Sequence, residues 1–252
     1  EAFLEKLRAN EVFAMEMVPD MSTLERLRVY MNYPPGQRLE TVIGSERFRV
    51  LEAALTAYPV PAASIERMRP WAALMTLSTP PPVTGFFMDL SLSLRASGSG
   101  LELVGLETIE EQLSFLQNMP MPMQLALLDQ AIAGVGHVAE VHARMVNAYL
   151  QNNLEDLQTL TDEQLQATGQ SASDYFTKSG IHARNHRMLD SLLRQLDHKT
   201  VFVAVGALHL PGEEGLINLL RQHGFSLSPL DMPFKGIQDK GIQDTHPTIP
   251  SP

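Results

Sequence analysis

Cysteine is missing from all 252 residues. Disulfides and thiolate metal sites are therefore excluded, and redox chemistry does not decide the compartment. Basic residues are scarce: 19 Lys and Arg stand against 29 Asp and Glu, a net charge of −10. Phosphate backbones attract basic surfaces, so nucleic acid is not an expected partner. No apolar run approaches the ~20 residues a membrane helix needs. The chain contains no phosphate loop, no dinucleotide fingerprint, no Gly-x-Ser-x-Gly and no His-Glu-x-x-His. It starts at Glu1 without a signal peptide, so the expectation is a processed or trimmed N-terminus. What remains is ordinary for a soluble globular protein: 44% hydrophobic and 19% charged residues.

One stretch organises the rest. Val201 to Val205 is an unbroken apolar, β-branched run, which predicts a strand buried on both faces. Gly206 ends it, and His209 follows. Pro211 and Gly212 turn the chain, and Glu213 and Glu214 sit where a helix begins. Leu216, Ile217, Leu219 and Leu220 supply that helix with an apolar face. Gly224 suits a left-handed cap, and Phe225 to Leu230 reads as a returning strand. His209 thus lies past the carboxyl end of a strand, the edge at which open α/β sheets bind ligands. A plain loop-capping role for His209 is equally open at this point.

Two other strands carry polar residues at the same end. Glu11 to Met17 predicts a strand with alternating faces, and Glu16 lies near its end. Leu101 to Val104 predicts a second buried strand, ended by Gly105 and followed by Glu107. Between and around them the pattern is helical. Ser22-Thr-Leu-Glu25 and Thr161-Asp-Glu-Gln164 match capping boxes. Pro70 kinks a helix or marks its start. Ser173 to Asp197 is helical except near Gly180. The tail repeats Lys235-Gly-Ile-Gln-Asp239 as Lys240-Gly-Ile-Gln-Asp244 and predicts disorder from about residue 235.

If the strands are parallel neighbours, Glu16, Glu107 and His209 converge on one sheet edge. Two carboxylates and an imidazole suit a divalent metal. Such a metal polarises a carbonyl or activates water, with a carboxylate as general base. Isolated glutamates solvated at strand ends are the plainer alternative. Arg184 offers a planar fork for a carboxylate or oxyanion, and Asp89 could orient a ligand. His182 and His186 are spaced for a metal, yet a solvated helix face explains them better. Trp71, the only tryptophan, reads as core.

The segment from Gly206-Ala-Leu-His209 through Leu-Pro-Gly and its helix resembles the C-terminal signature of the TraB/GumN family, which includes the Tiki metalloproteases. The resemblance runs in order over roughly residues 11 to 230. Pro35-Gly-Gln-Arg-Leu39, Arg69-Pro-Trp71, Met88-Asp89, Val104-Gly-Leu-Glu-Thr108 with Glu111-Gln112, and Arg184-Asn185 each look like a family motif. The family carries two Gly-x-x-His motifs, and none precedes Glu11 here. The resemblance therefore implies a further strand and ligand upstream. It also implies peptide hydrolysis with a divalent metal of manganese or cobalt type.

The expected fold is α/β: a small mixed sheet flanked by helices, with a helical insertion at about residues 109–196. Residues 1–234 would form one domain. The expected function is a metal-dependent hydrolase of a peptide or related substrate. Glu16, Glu107 and Arg184 would be catalytic. His209, Glu16 and Glu107 would hold the metal. Arg184, Asn185, Asp89 and Gly206 would bind substrate. The alternative is a non-catalytic module that sequesters a peptide, as in pheromone shutdown; haem binding is a third, weaker option. A homo-oligomer and an extracytoplasmic location are further expectations.

Overall fold

The computed structural model describes residues 2–82 and 87–230. The repeat-containing tail and Gly85 lie outside the described residues. Three parallel strands form one sheet: β1 (Val12–Met15), β2 (Glu102–Gly105) and β3 (Val201–Ala204), in the order β2-β1-β3. Met15 pairs with Gly105 on one side and Ala204 on the other. The expected small sheet with flanking helices is present, but it is wholly parallel. Phe225 to Leu230 is irregular and exposed rather than a returning strand. Phe225 donates its amide to Leu220 at 3.1 Å, so it completes the preceding helix and not a ladder.

Strand order also corrects the expected burial. β1 is central, and all four of its residues are buried. β2 and β3 are edges, so each is only partly covered. Alternation along β1 splits the core in two. Val12 and Ala14 face Met188, Leu189 and Leu192 of helix Ala183–Leu196 and Leu216 and Leu219 of helix Leu216–Gln222. Phe13 and Met15 face Leu7 and Ala96, from helices Ala2–Arg8 and Met88–Gly98. The result is a helix–sheet–helix stack, in which a strand apolar on both sides must be the middle one.

A third and larger core contains no strand residue. It joins Leu39 to Leu77 with Ile109 to Leu128. Residues 109–196 are almost entirely helical, as expected. Their beginning packs into this helical core and their end, helix Ala183–Leu196, lies on the sheet. Of the expected capping boxes, neither the one at Ser22 nor the one at Thr161 forms. Asp20 caps helix Met21–Met31 instead, and Thr161 lies inside helix Leu154–Ala167, capped by Asn153. Thr108 and Glu111 do form a capping box, which starts helix Ile109–Gln117 directly after Glu107. Pro70 sits in the first turn of helix Pro70–Leu77, where its missing N–H costs nothing.

Candidate functional site

The parallel register sets the positions past the strand ends side by side. Leu106 and Glu107 donate their amides to the carbonyls of Met15 and Glu16, at 2.8 and 2.9 Å. On the other flank, the Gly206 amide donates to Glu16 Oε1 at 2.6 Å. Glu16, Glu107 and His209 therefore lie at one end of one sheet. The chain runs from β1 to β2 on one side and then from β2 across to β3 on the other, so the strand order reverses beside β1, where α/β sheets form a crevice.

The two carboxylates are bridged by arginine. Arg184 Nε donates to Glu107 Oε2 at 2.8 Å, and Nη2 donates to Glu16 Oε2 at 2.7 Å. Arg187 Nη2 donates to Glu107 Oε1 at 3.2 Å. Gln112 Nε2 adds a 3.2 Å bond to Glu16 Oε2. Glu107 and Arg184 are buried. Burial alone would lower the Arg184 pKa, but Glu107 and Glu16 more than offset it, so the guanidinium stays charged. Burial would likewise raise the Glu16 carboxyl. The Gly206 amide, Arg184 and His209 outweigh it, and Glu16 is held below its ordinary value.

His209 has one tautomer available. The Asn185 amide nitrogen donates to the Glu214 carbonyl at 2.6 Å, so its oxygen faces His209 Nδ1, also at 2.6 Å. Nδ1 must then carry the proton, and Nε2 is left with its lone pair, 3.8 Å from Glu16 Oε1. Burial, with the Arg184 charge, pushes the imidazole down to about 4 against the pull of Glu16. His209 is neutral at pH 7. A neutral imidazole whose far nitrogen is fixed by a hydrogen bond is the form in which histidine binds metals.

The donor set fits a cation in part. His209 Nε2 and Glu16 Oε1 are adjacent and of suitable chemistry. Among the described residues, no group of three His, Cys, Asp or Glu side chains could hold a metal ion. Glu107, expected as a ligand, has a guanidinium at each oxygen and serves as the counter-ion of Arg184 and Arg187. Asn185, expected to touch substrate, is fully buried and orients His209 instead. Gly206 leaves room for the carboxylate: a Cβ there would lie 3.0 Å from Glu16 Oε1 and press it back slightly. Asp89 is near enough for the Glu16 charge, after its own desolvation, to raise its carboxyl.

Sequence reasoning missed Arg187, although it lies three residues after Arg184 on the same helix and so shares its face. Gln112 was visible only as part of a motif. His186 pairs with Glu214 at 2.6 Å in an exposed position, and His182 takes no part in the cluster. The chain enters this helix through a π-helical segment, Phe176–His182, with Gly180 against the Phe115 ring. Such segments shift the phase of the helix that follows, here the one carrying Arg184, Asn185 and Arg187.

The model of the TraB/PrgY/gumN family matches residues 1–229. The chain is 26% identical over 269 residues to Metalloprotease TIKI1 of Danio rerio, a match covering 85% of this chain and 53% of that protein. It is 24% identical over 277 residues to Metalloprotease TIKI2 of Danio rerio, covering 87% and 52%. The chain spans about half the length of these curated relatives. No solved structure matches it.

Proposed function

This chain belongs to the TraB/PrgY/gumN family, and on that premise we propose that it acts as a metalloprotease-like hydrolase of peptides or related substrates. The observation that carries the reading is the pair formed by the fixed, neutral His209 and the ionised Glu16. Both lie at the carboxyl edge of the sheet, with His209 buried and Glu16 partly buried. A divalent cation of manganese or cobalt type would be held by His209 Nε2 and Glu16 Oε1, with further ligands from outside the described residues or from water. When bound, it would polarise the scissile carbonyl and lower the pKa of a water.

The chain's own residues have separate tasks. Asn185 keeps His209 in one tautomer. Gly206 and Gln112 hold the Glu16 carboxylate. Arg184 keeps Glu16 and Glu107 apart from one another's charge and presents a guanidinium edge to substrate oxygen. Asp89, close enough to Glu16 to feel its charge, would orient a substrate group beside it. Nothing in this arrangement needs the nucleic acid that the charge balance disfavours. Among the described residues, no helix is long and apolar enough to cross a membrane.

The engagement of Glu107 by two arginines leaves two adjacent donors rather than three, and this favours a second reading: a module that binds a peptide in the same crevice without cleaving it. Calorimetric titration with Mn²⁺ and Co²⁺ separates the two. The hydrolase reading expects stoichiometric binding that His209→Ala abolishes, together with metal-dependent cleavage of an unstructured peptide. Peptide binding that persists unchanged in chelator, with no cleavage, would establish the second reading.

A further inference from the structure

A pair of adjoining cavities lies away from the sheet edge. One, of about 640 Å³, is lined by Arg28, Tyr33, Pro34, Arg67 and Arg69 among others. The second, of about 360 Å³, shares Tyr30, Tyr33 and Arg69 with it and adds Trp71, Asn118 and Gln124. Neither lining includes Glu16, Glu107, Arg184, Asn185 or His209, so this is a separate place on the molecule.

Its charge is opposite to that of the chain. The net charge is −10, yet among the described residues the two linings contain three arginines and no carboxylate. Elsewhere Arg26, Arg38, Arg47, Arg144, Arg184 and Arg187 each meet an acid, while Arg8, Arg49, Arg95, Arg194 and Arg221 meet none among the described residues, so it is the clustering of the cavity arginines that sets them apart. Arg28, Arg67 and Arg69 meet none among the described residues. Arg69 is partly buried and lies over the Tyr33 ring, 4.7 Å from its centroid. Arg67 is anchored by donating Nε and Nη2 to the Tyr33 carbonyl, at 3.2 and 2.9 Å. Stacking and anchoring of this kind set a guanidinium fork in place before any ligand arrives.

Trp71 forms part of the second cavity's wall. The Trp71 indole N–H is buried and has no acceptor among the described residues, although Trp71 lines the second cavity. Its backbone amide is satisfied by Gln124, at 3.2 Å. The indole N–H is closed off from solvent, so it is the Trp71 ring, and not its N–H, that forms part of the cavity wall. Val29, Pro34, Pro35 and Ala63 add apolar wall, and Asn32, Ser64 and Gln117 add polar wall.

We propose that this double cavity binds an anionic ligand with an apolar body, the C-terminal carboxylate of a hydrophobic peptide being the class that fits. Arg69 and Arg28 take the carboxylate, and the neighbouring side chain rests on the proline and tyrosine walls. Carboxylate geometry matches a guanidinium fork, and both cavities together have room for a few residues rather than a bare ion.

Trp71 is the only tryptophan, so its indole resonance reports on this site alone. The test is a titration of the full ¹⁵N-labelled chain, in chelator, with N-acetyl-alanyl-alanyl-leucine and with its C-terminal amide. The free acid should shift the indole signal saturably, and the amide should bind at least about tenfold more weakly. Inorganic phosphate should compete with the acid. Arg69→Gln should weaken binding by about tenfold. Arg28→Gln, an exposed substitution that spares the fold, should weaken it less, with an unchanged melting curve for the protein. Equal binding of acid and amide would overturn the proposal. So would no saturable shift at millimolar peptide, wild-type affinity in both variants, or a shift with phosphate alone and none with the acid. The chelator keeps this result independent of whether the sheet-edge site hydrolyses anything.

Discussion

At the residue scale, Arg184 is the side chain on which the cluster depends. Among the described residues it is the one side chain that hydrogen-bonds to both Glu16 and Glu107. Removing one partner of a buried charge pair leaves the other charge uncompensated, at about 3–5 kcal/mol. Arg184→Met should therefore cost about that much in urea denaturation, and Glu107→Gln in the same background should recover part of it. Simple additivity of the two substitutions would show that the ion pair is not what holds this end of the sheet. Asn185 illustrates how a role can be mistaken at this scale. As half of an Arg-Asn pair it suggested substrate contact, but its two hydrogen bonds, to His209 and to the Glu214 carbonyl, use it up inside the protein.

At the element scale, the loop between β3 and helix Leu216–Gln222 holds His209 in place, and glycine governs its course. Gly212 has a φ of +88°, open to glycine at little cost. Gly215 is tighter. A Cβ there would sit 2.1 Å from the Pro211 carbonyl oxygen, a backbone atom that cannot rotate away. Gly215→Ala should displace the loop and cost about 1–3 kcal/mol, as other overpacked sites do. Because Glu214 is next in sequence and its carbonyl holds Asn185, the variant should also disturb the His209 Nδ1 proton in NMR spectra. An unchanged His209 resonance together with lost stability would mean that the loop and the imidazole are not linked.

At the scale of the whole molecule, the burial of this cluster predicts acid sensitivity. The folded-state pKa of His209 is about 4, against an ordinary 6.5. Between those values the unfolded chain takes up a proton that the folded chain refuses. Stability is therefore fully present above pH 6.5 and falls as pH drops toward 4, by about 1.4 kcal/mol per pH unit and about 3 kcal/mol across the window. Glu16, whose folded pKa is lowered, adds a further loss at the acid end of that range. Urea midpoints of the metal-free protein from pH 7.5 to 4 measure the slope. His209→Gln should flatten the part above pH 5; an equally steep variant would place the acid-sensitive group elsewhere.

The sequence by itself determined the three strands, the alternation that gives β1 two cores and the helical character of residues 109–196, and it made the convergence of Glu16, Glu107 and His209 conditional on the strands being parallel neighbours. These follow from local rules: apolar periodicity, and polar residues placed just after apolar runs. Only the tertiary structure decided strand order, and with it which strand is buried on both faces. Pairing partners distant in the chain are not encoded in any short window. Tertiary contact also decided what each polar side chain does. Glu107 reads as a metal ligand until Arg184 and Arg187 are seen at its two oxygens, and Asn185 reads as a substrate-binding group until His209 and Glu214 close around it. Phe225 to Leu230 has the composition of a strand, yet a strand requires a neighbour with free amides and carbonyls, and this segment finds none among the described residues.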